Sequence, residues 1–102
     1  MRYVNKDDIF VIDDLIRYIL NEDANEIKLS FETTALKNYF FHTIKKYIPD
    51  VYIINCISSE KRIYKDLISA KKYDLVVFDN IKKSDINIEN INMINSKKIF
   101  IY

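Results

Sequence analysis

Glycine is absent from all 102 residues, and this excludes more chemistry than any residue that is present. Phosphate-binding loops and dinucleotide fingerprints need residues without a Cβ, because backbone N–H groups must close on phosphate oxygens. Neither motif can exist here in intact form. Where the backbone requires a positive φ, asparagine is the expected substitute, since it tolerates the left-handed region best among residues that carry a Cβ. Cysteine occurs once, at Cys56, so no intramolecular disulfide can form. No apolar run approaches the roughly 18 residues of a membrane span, and Asp and Arg interrupt the first twenty residues too often for a signal peptide. These exclusions point to the cytoplasm, with no membrane partner.

Charge of one sign is also lacking. The 16 basic and 15 acidic residues leave a formal charge of +1, whereas an electrostatic nucleic-acid footprint needs a basic excess or a concentrated basic face. A nucleic-acid partner is therefore not expected. What is present is ordinary for a folded domain: 49% hydrophobic and 30% charged residues, far from the composition of disorder. The abundance of Ile, Lys and Asn fits an AT-rich genome, such as that of a phage or another virus, whose protein would act in the host cytoplasm.

Periodicity divides the chain into elements. Ile9, Ile12, Leu15, Ile16, Ile19 and Leu20 recur at helical spacing over residues 7 to 21, with Asp7 or Asp8 as the cap. Ile27, Leu29 and Phe31 alternate as a first strand from Glu26 to Phe31. Thr33 or Thr34 caps a second helix with an apolar face of Leu36, Tyr39, Phe40, Ile44 and Tyr47, and Pro49, the only proline, follows its end. Val51 to Ile57 reads as a parallel strand covered on both faces. Ser58 or Ser59 caps a third helix with Ile63, Leu67, Ile68 and Ala70 inward. Tyr73 to Asp79 is the clearest buried strand, residues 80 to 96 read as a loop and a short helix, and Lys98 to Tyr102 forms a last strand. The expected fold is one small three-layer α/β domain over residues 1–102: a mainly parallel sheet of about four strands, helices on both faces, and an N-terminal amphipathic helix.

In such sheets function gathers at the carboxyl ends of the strands, here Phe31-Glu32-Thr33-Thr34, Asn55 to Ser59 and Phe78-Asp79-Asn80. A carboxylate placed like Asp79 can hold Mg²⁺ or accept a phosphoryl group. It can equally begin a turn, in which case Asn should replace it at a cost below about 1 kcal/mol.

Tyr-Asp-Leu-Val-Val-Phe-Asp-Asn at 73–80 resembles the Walker B strand of AAA+ ATPases, and the preceding order of helix, strand, Thr-Thr helix start, strand and helix is similar too. In that comparison Ile27 to Leu36 occupies the place of the phosphate loop. No Gly and no Lys precedes Thr33, and Asn80 stands where the family carries the Glu that polarises water. The resemblance thus implies a P-loop NTPase-like core stripped of triphosphate binding and hydrolysis, a pseudoenzyme. The same strand resembles a receiver domain, which would make Asp79 the phosphoacceptor and Glu32 its acidic, Mg²⁺-holding companion.

Other candidates have plainer roles. His42 lacks a second ligand for zinc. Cys56 ends an apolar run, where thiols are usually inert. Ser58 and Ser59 serve better as caps than as nucleophiles. The paired lysines, Lys45 and Lys46, Lys71 and Lys72, Lys82 and Lys83, Lys97 and Lys98, read as a solvated rim. Tyr39, Phe40, Phe41 and Tyr47 nearly encircle the second helix. They serve either a helix buried on both sides or a docking patch.

The combined expectation is a non-catalytic protein-interaction module without cofactor or metal, binding and regulating or inhibiting another protein through Tyr39, Phe41 and Tyr47. Self-association is compatible with the same surface. The alternatives are a phosphoacceptor signalling domain using Asp79, Glu32 and Mg²⁺, and a nucleic-acid accessory using the lysine pairs.

Overall fold

A parallel strand covered on both faces must be apolar at nearly every position, and Leu75–Asp79 is buried along its whole length. The computed structural model, which describes residues 1–21, 23–81, 91–92 and 94–102, builds the fold around that strand. In chain order the elements are β1 (Arg2–Val4), a 3-10 segment (Lys6–Val11), α1 (Ile12–Asn21), β2 (Glu26–Phe31), α2 (Thr34–Tyr47), β3 (Tyr52–Asn55), α3 (Glu60–Ala70), β4 (Leu75–Asp79) and β5 (Lys97–Ile101). The five strands form one parallel sheet in the order β1-β2-β5-β4-β3.

That order dictates the layers. The steps from β1 to β2 and from β2 to β3 run one way along the sheet, and the steps from β3 to β4 and from β4 to β5 run back. Right-handed crossovers then put α1 and α2 on one face and α3 on the other, where Ile91 and Ile94 also pack. The core divides accordingly, with alternate residues of each strand on opposite faces. Leu75, Val77, Ile99 and Ile101 join Leu15, Ile16, Ile19, Leu36, Phe40 and Ile44 in one cluster. Val76, Phe78 and Phe100 join Ile63, Leu67, Ala70, Ile91 and Ile94 in the other.

The α/β class and the parallel sheet are as the sequence pattern predicts, with five strands in place of four. The added strand is β1, too short to show a period, which pairs Arg2 with Leu29 and Val4 with Phe31. The expected first helix is divided. Asn5, not Asp7 or Asp8, is the cap: its Oδ1 accepts from the Asp7 N–H at 2.9 Å, and Asp8 Oδ2 accepts from the Asn5 N–H at 2.9 Å. This reciprocal pair winds residues 6–11 as a 3-10 turn that buries none of its side chains, and only from Ile12 does α1 turn its apolar face to the sheet.

Two further expectations change. Among the described residues β3 is an edge strand, paired with β4 alone, and regular pairing ends at Asn55. Ile68 points outward from α3, because Ile63, Leu67 and Ala70 already fill the stripe that faces the sheet. The expectation for residues 80–96 falls largely on residues 82–90 and 93, outside the described ones, as do Lys82 and Lys83. No helix among the described residues is long and apolar enough to cross a membrane.

Candidate functional site at the carboxyl ends of the strands

At the end of β4 the ladder continues one residue past β3, the Cys56 N–H donating to the Asp79 carbonyl at 2.9 Å. The chain then turns at Asn80, whose φ of 58° lies in the left-handed region; here asparagine takes the place a glycine would fill. The turn is held from two sides. The Asn80 N–H donates to Asp79 Oδ1 at 2.8 Å, and Asn80 Nδ2 donates to Asn55 Oδ1 at 3.1 Å. Asn55 Oδ1 also accepts from the Ile57 N–H at 3.3 Å.

A cation also reaches Asp79, from the helix that follows β2 on the other side of β5. Thr33 caps α2, its Oγ1 accepting from the Leu36 N–H at 3.1 Å. From β2 that helix must cross β5 and β4 to reach β3, and its first turn places Lys37 Nζ 3.1 Å from Asp79 Oδ1. The two side chains are only 17% and 12% exposed, so water screens their attraction little and each has become the other's counter-charge. The pair makes the replacement of Asp79 by Asn costlier than the sequence-based expectation of less than about 1 kcal/mol. Lys37 was not singled out from sequence. Its signal was available: a cation in the first turn of a helix opposes the helix dipole and calls for a partner.

Glu32 is not brought to Asp79. β5 lies between β2 and β4, and two strand spacings put their ends roughly 9–10 Å apart. Glu32 Oε2 instead accepts from the Lys6 N–H at 2.6 Å, while its own N–H donates to the Val4 carbonyl at 2.8 Å. It therefore fastens the start of the 3-10 segment to β2. Among the described residues no group of three or more His, Cys, Asp or Glu could hold a metal ion.

Cys56 is buried, and its thiol is pushed up to about 12, first by burial and then by the charge of Asp79. A thiol so resistant to ionisation is a poor nucleophile. Ser59 caps α3, accepting from the Arg62 N–H at 3.2 Å. Ser58 is half-buried and donates its N–H to the Asn55 carbonyl at 3.2 Å, and His42 is exposed on α2. Among the paired lysines Lys45, Lys46, Lys71 and Lys72 are exposed, whereas Lys98 is buried with Nζ donating to the Ser96 carbonyl at 3.2 Å.

The aromatic residues of α2 divide. Phe40 is fully buried, its ring centroid 5.2 Å from that of Phe31 and 6.2 Å from that of Phe41. Phe41 is half-buried against the same core. Tyr39 and Tyr47 are exposed. The Tyr47 hydroxyl donates to Asp13 Oδ1 at 2.6 Å, and that bond raises its pKa above the usual tyrosine value. The exposed aromatic surface of α2 thereby meets the beginning of α1.

No protein-family model, curated protein or solved structure matches the chain.

Proposed function

We propose that this chain is a non-catalytic protein-interaction module, resembling a stripped P-loop NTPase core, that binds and thereby regulates or inhibits another protein. The observation that carries this reading is the closed Lys37–Asp79 pair. It joins the Thr33-capped helix to the strand that resembles Walker B, yet it consumes within the fold the charge that a metal or phosphoryl group would need. The sheet order also supports this reading over the receiver-like one, since β1-β2-β5-β4-β3 differs from the 2-1-3-4-5 order of flavodoxin-like folds. For docking, Tyr39 and Tyr47 supply exposed, rigid, amphipathic area.

The test has two arms. In calorimetric titration, ATP with Mg²⁺ is expected to bind no tighter than about millimolar, for want of a phosphate cradle, and acetyl phosphate with Mg²⁺ is expected to leave the mass unchanged. In affinity capture, Tyr39→Ala with Tyr47→Ala is expected to weaken retention of the partner. A micromolar nucleotide affinity, or phosphorylation lost in Asp79→Asn, overturns the reading.

A further inference from the structure

Ile9, Phe10 and Val11 are consecutive, apolar and turned outward, with exposures of 39%, 90% and 40%. Single exposed apolar residues are ordinary on a protein surface, but three in a row on a segment that buries nothing need another account. The 3-10 segment does not pack these side chains, yet it is firmly placed. The Asn5–Asp8 cap and the Lys6–Glu32 bond fix its start, and fully buried Ile12 fixes its exit. Four carboxylates flank these three residues in sequence, Asp7 and Asp8 before and Asp13 and Asp14 after, with the segment's one cation, Lys6, lying beyond them at its start. Arg17 approaches Asp14 at 3.6 Å, but both are well exposed, so water largely screens that pair.

We propose that the Ile9–Phe10–Val11 ridge anchors this chain to a partner protein by inserting Phe10 into an apolar pocket rimmed with Lys and Arg. This rests on the interaction-module reading and supplies its anchor and the chemistry of its partner. An aromatic on a backbone already fixed before binding, with only two side-chain torsions to settle, loses little conformational freedom on docking, a property of dominant anchors at interfaces. The carboxylates select what it meets. An anionic lipid surface repels them. A second copy meeting this one through the same patch would set the carboxylates of one against those of the other. A basic rim around an apolar pocket complements both parts of the ridge. The Tyr47–Asp13 bond places the exposed end of α2 beside it, so one partner surface can cover both.

The test is affinity capture by the full chain from a lysate of its source cell, comparing wild type, Phe10→Ala, Asp7→Asn/Asp14→Asn, and Tyr39→Ala/Tyr47→Ala. Asp8 and Asp13 are left intact because they hold Asn5 and Tyr47. Phe10→Ala is expected to fold as the wild type does and to retain the captured protein at least about thirtyfold less well. The double Asp variant, and a rise from about 50 to about 500 mM salt, are each expected to lower retention several-fold. Retention that survives Phe10→Ala but is lost in the tyrosine variant overturns the anchor and leaves the interaction module standing. Retention that depends on Phe10 yet ignores salt and the Asp variant overturns the basic rim. Binding to phosphatidylserine or phosphatidylcholine vesicles, or self-association in sedimentation, that is abolished by Phe10→Ala overturns the choice of partner. No capture by the wild-type chain overturns both the anchor and the module.

Discussion

Lys37 and Asp79 are mostly withdrawn from water and lie 3.1 Å apart, so neither can be altered without consequence for the other. Asp79→Asn leaves an ammonium without its counter-charge and is expected to cost about 1–3 kcal/mol. A large part should return in Lys37→Met/Asp79→Asn, where no charge is left unpaired. Urea denaturation of the two singles and the double reads that coupling, and an unchanged midpoint in Asp79→Asn would show the pair to be idle. Cys56 offers a second test. Its thiol is raised from 9.0 to about 12. Below about pH 9 it is protonated in both folded and unfolded chains; between about 9 and 12 only the unfolded chain gives up the proton, so its contribution to stability falls as pH rises. The urea midpoint should therefore decline across that window and decline less steeply in Cys56→Ala. Iodoacetamide near about pH 8 should modify the denatured chain and spare the native one. At this scale the sequence showed Asn as the bearer of a positive φ and Cys56 as a core residue, and it narrowed the caps to Thr33 or Thr34 and Ser58 or Ser59, of which the fold uses Thr33 and Ser59. It did not show the Lys37–Asp79 contact, which joins residues 42 positions apart (79 − 37) and depends on which strands α2 crosses.

Individual elements were readable to the extent that burial followed a period. β2 falls on the predicted residues, and α2 and α3 begin after the expected caps. The 3-10 segment was hidden because Ile9 and Ile12 are three apart, which suits a helix as well as it suits two unrelated surfaces. α3 gives the sharper contrast: Leu67 and Ile68 both read as inward, yet only Leu67 is buried. Leu67→Ala is expected to lower stability by about 2–5 kcal/mol, and Ile68→Ala by less than about 0.5 kcal/mol. Equal melting shifts would mean that α3 is rotated from the orientation described. In the same way Asn5→Ala removes the cap of the 3-10 segment and should cost about 1 kcal/mol. Hydrogen exchange should report faster amides at residues 6–8 and little change in β4.

Across the whole molecule, β4 and β5 contribute to both clusters, Val77 and Ile99 on one side, Val76, Phe78 and Phe100 on the other. Damage to either layer should therefore be felt as one event. Ile44→Ala and Leu67→Ala, on opposite faces, are each expected to lower the urea midpoint with no change in slope, tyrosine fluorescence and far-ultraviolet circular dichroism remaining coincident. Separated transitions would show that the two layers melt independently. The parallel α/β arrangement was legible because four apolar runs alternate with helical stripes; the strand order was not, since nothing in a strand's composition names its neighbours. Yet the order bears on how the chain is made. β5 is last in sequence among the described strands but stands in the middle of the sheet, between β2 and β4. On the ribosome, both neighbours emerge with a gap between them, and each apolar layer stays partly bare until residues 97–101 leave the exit tunnel. Nascent chains stalled short of that point should be held by chaperones and cut readily by protease, whereas chains extended by a linker long enough to free β5 should become resistant in a single step.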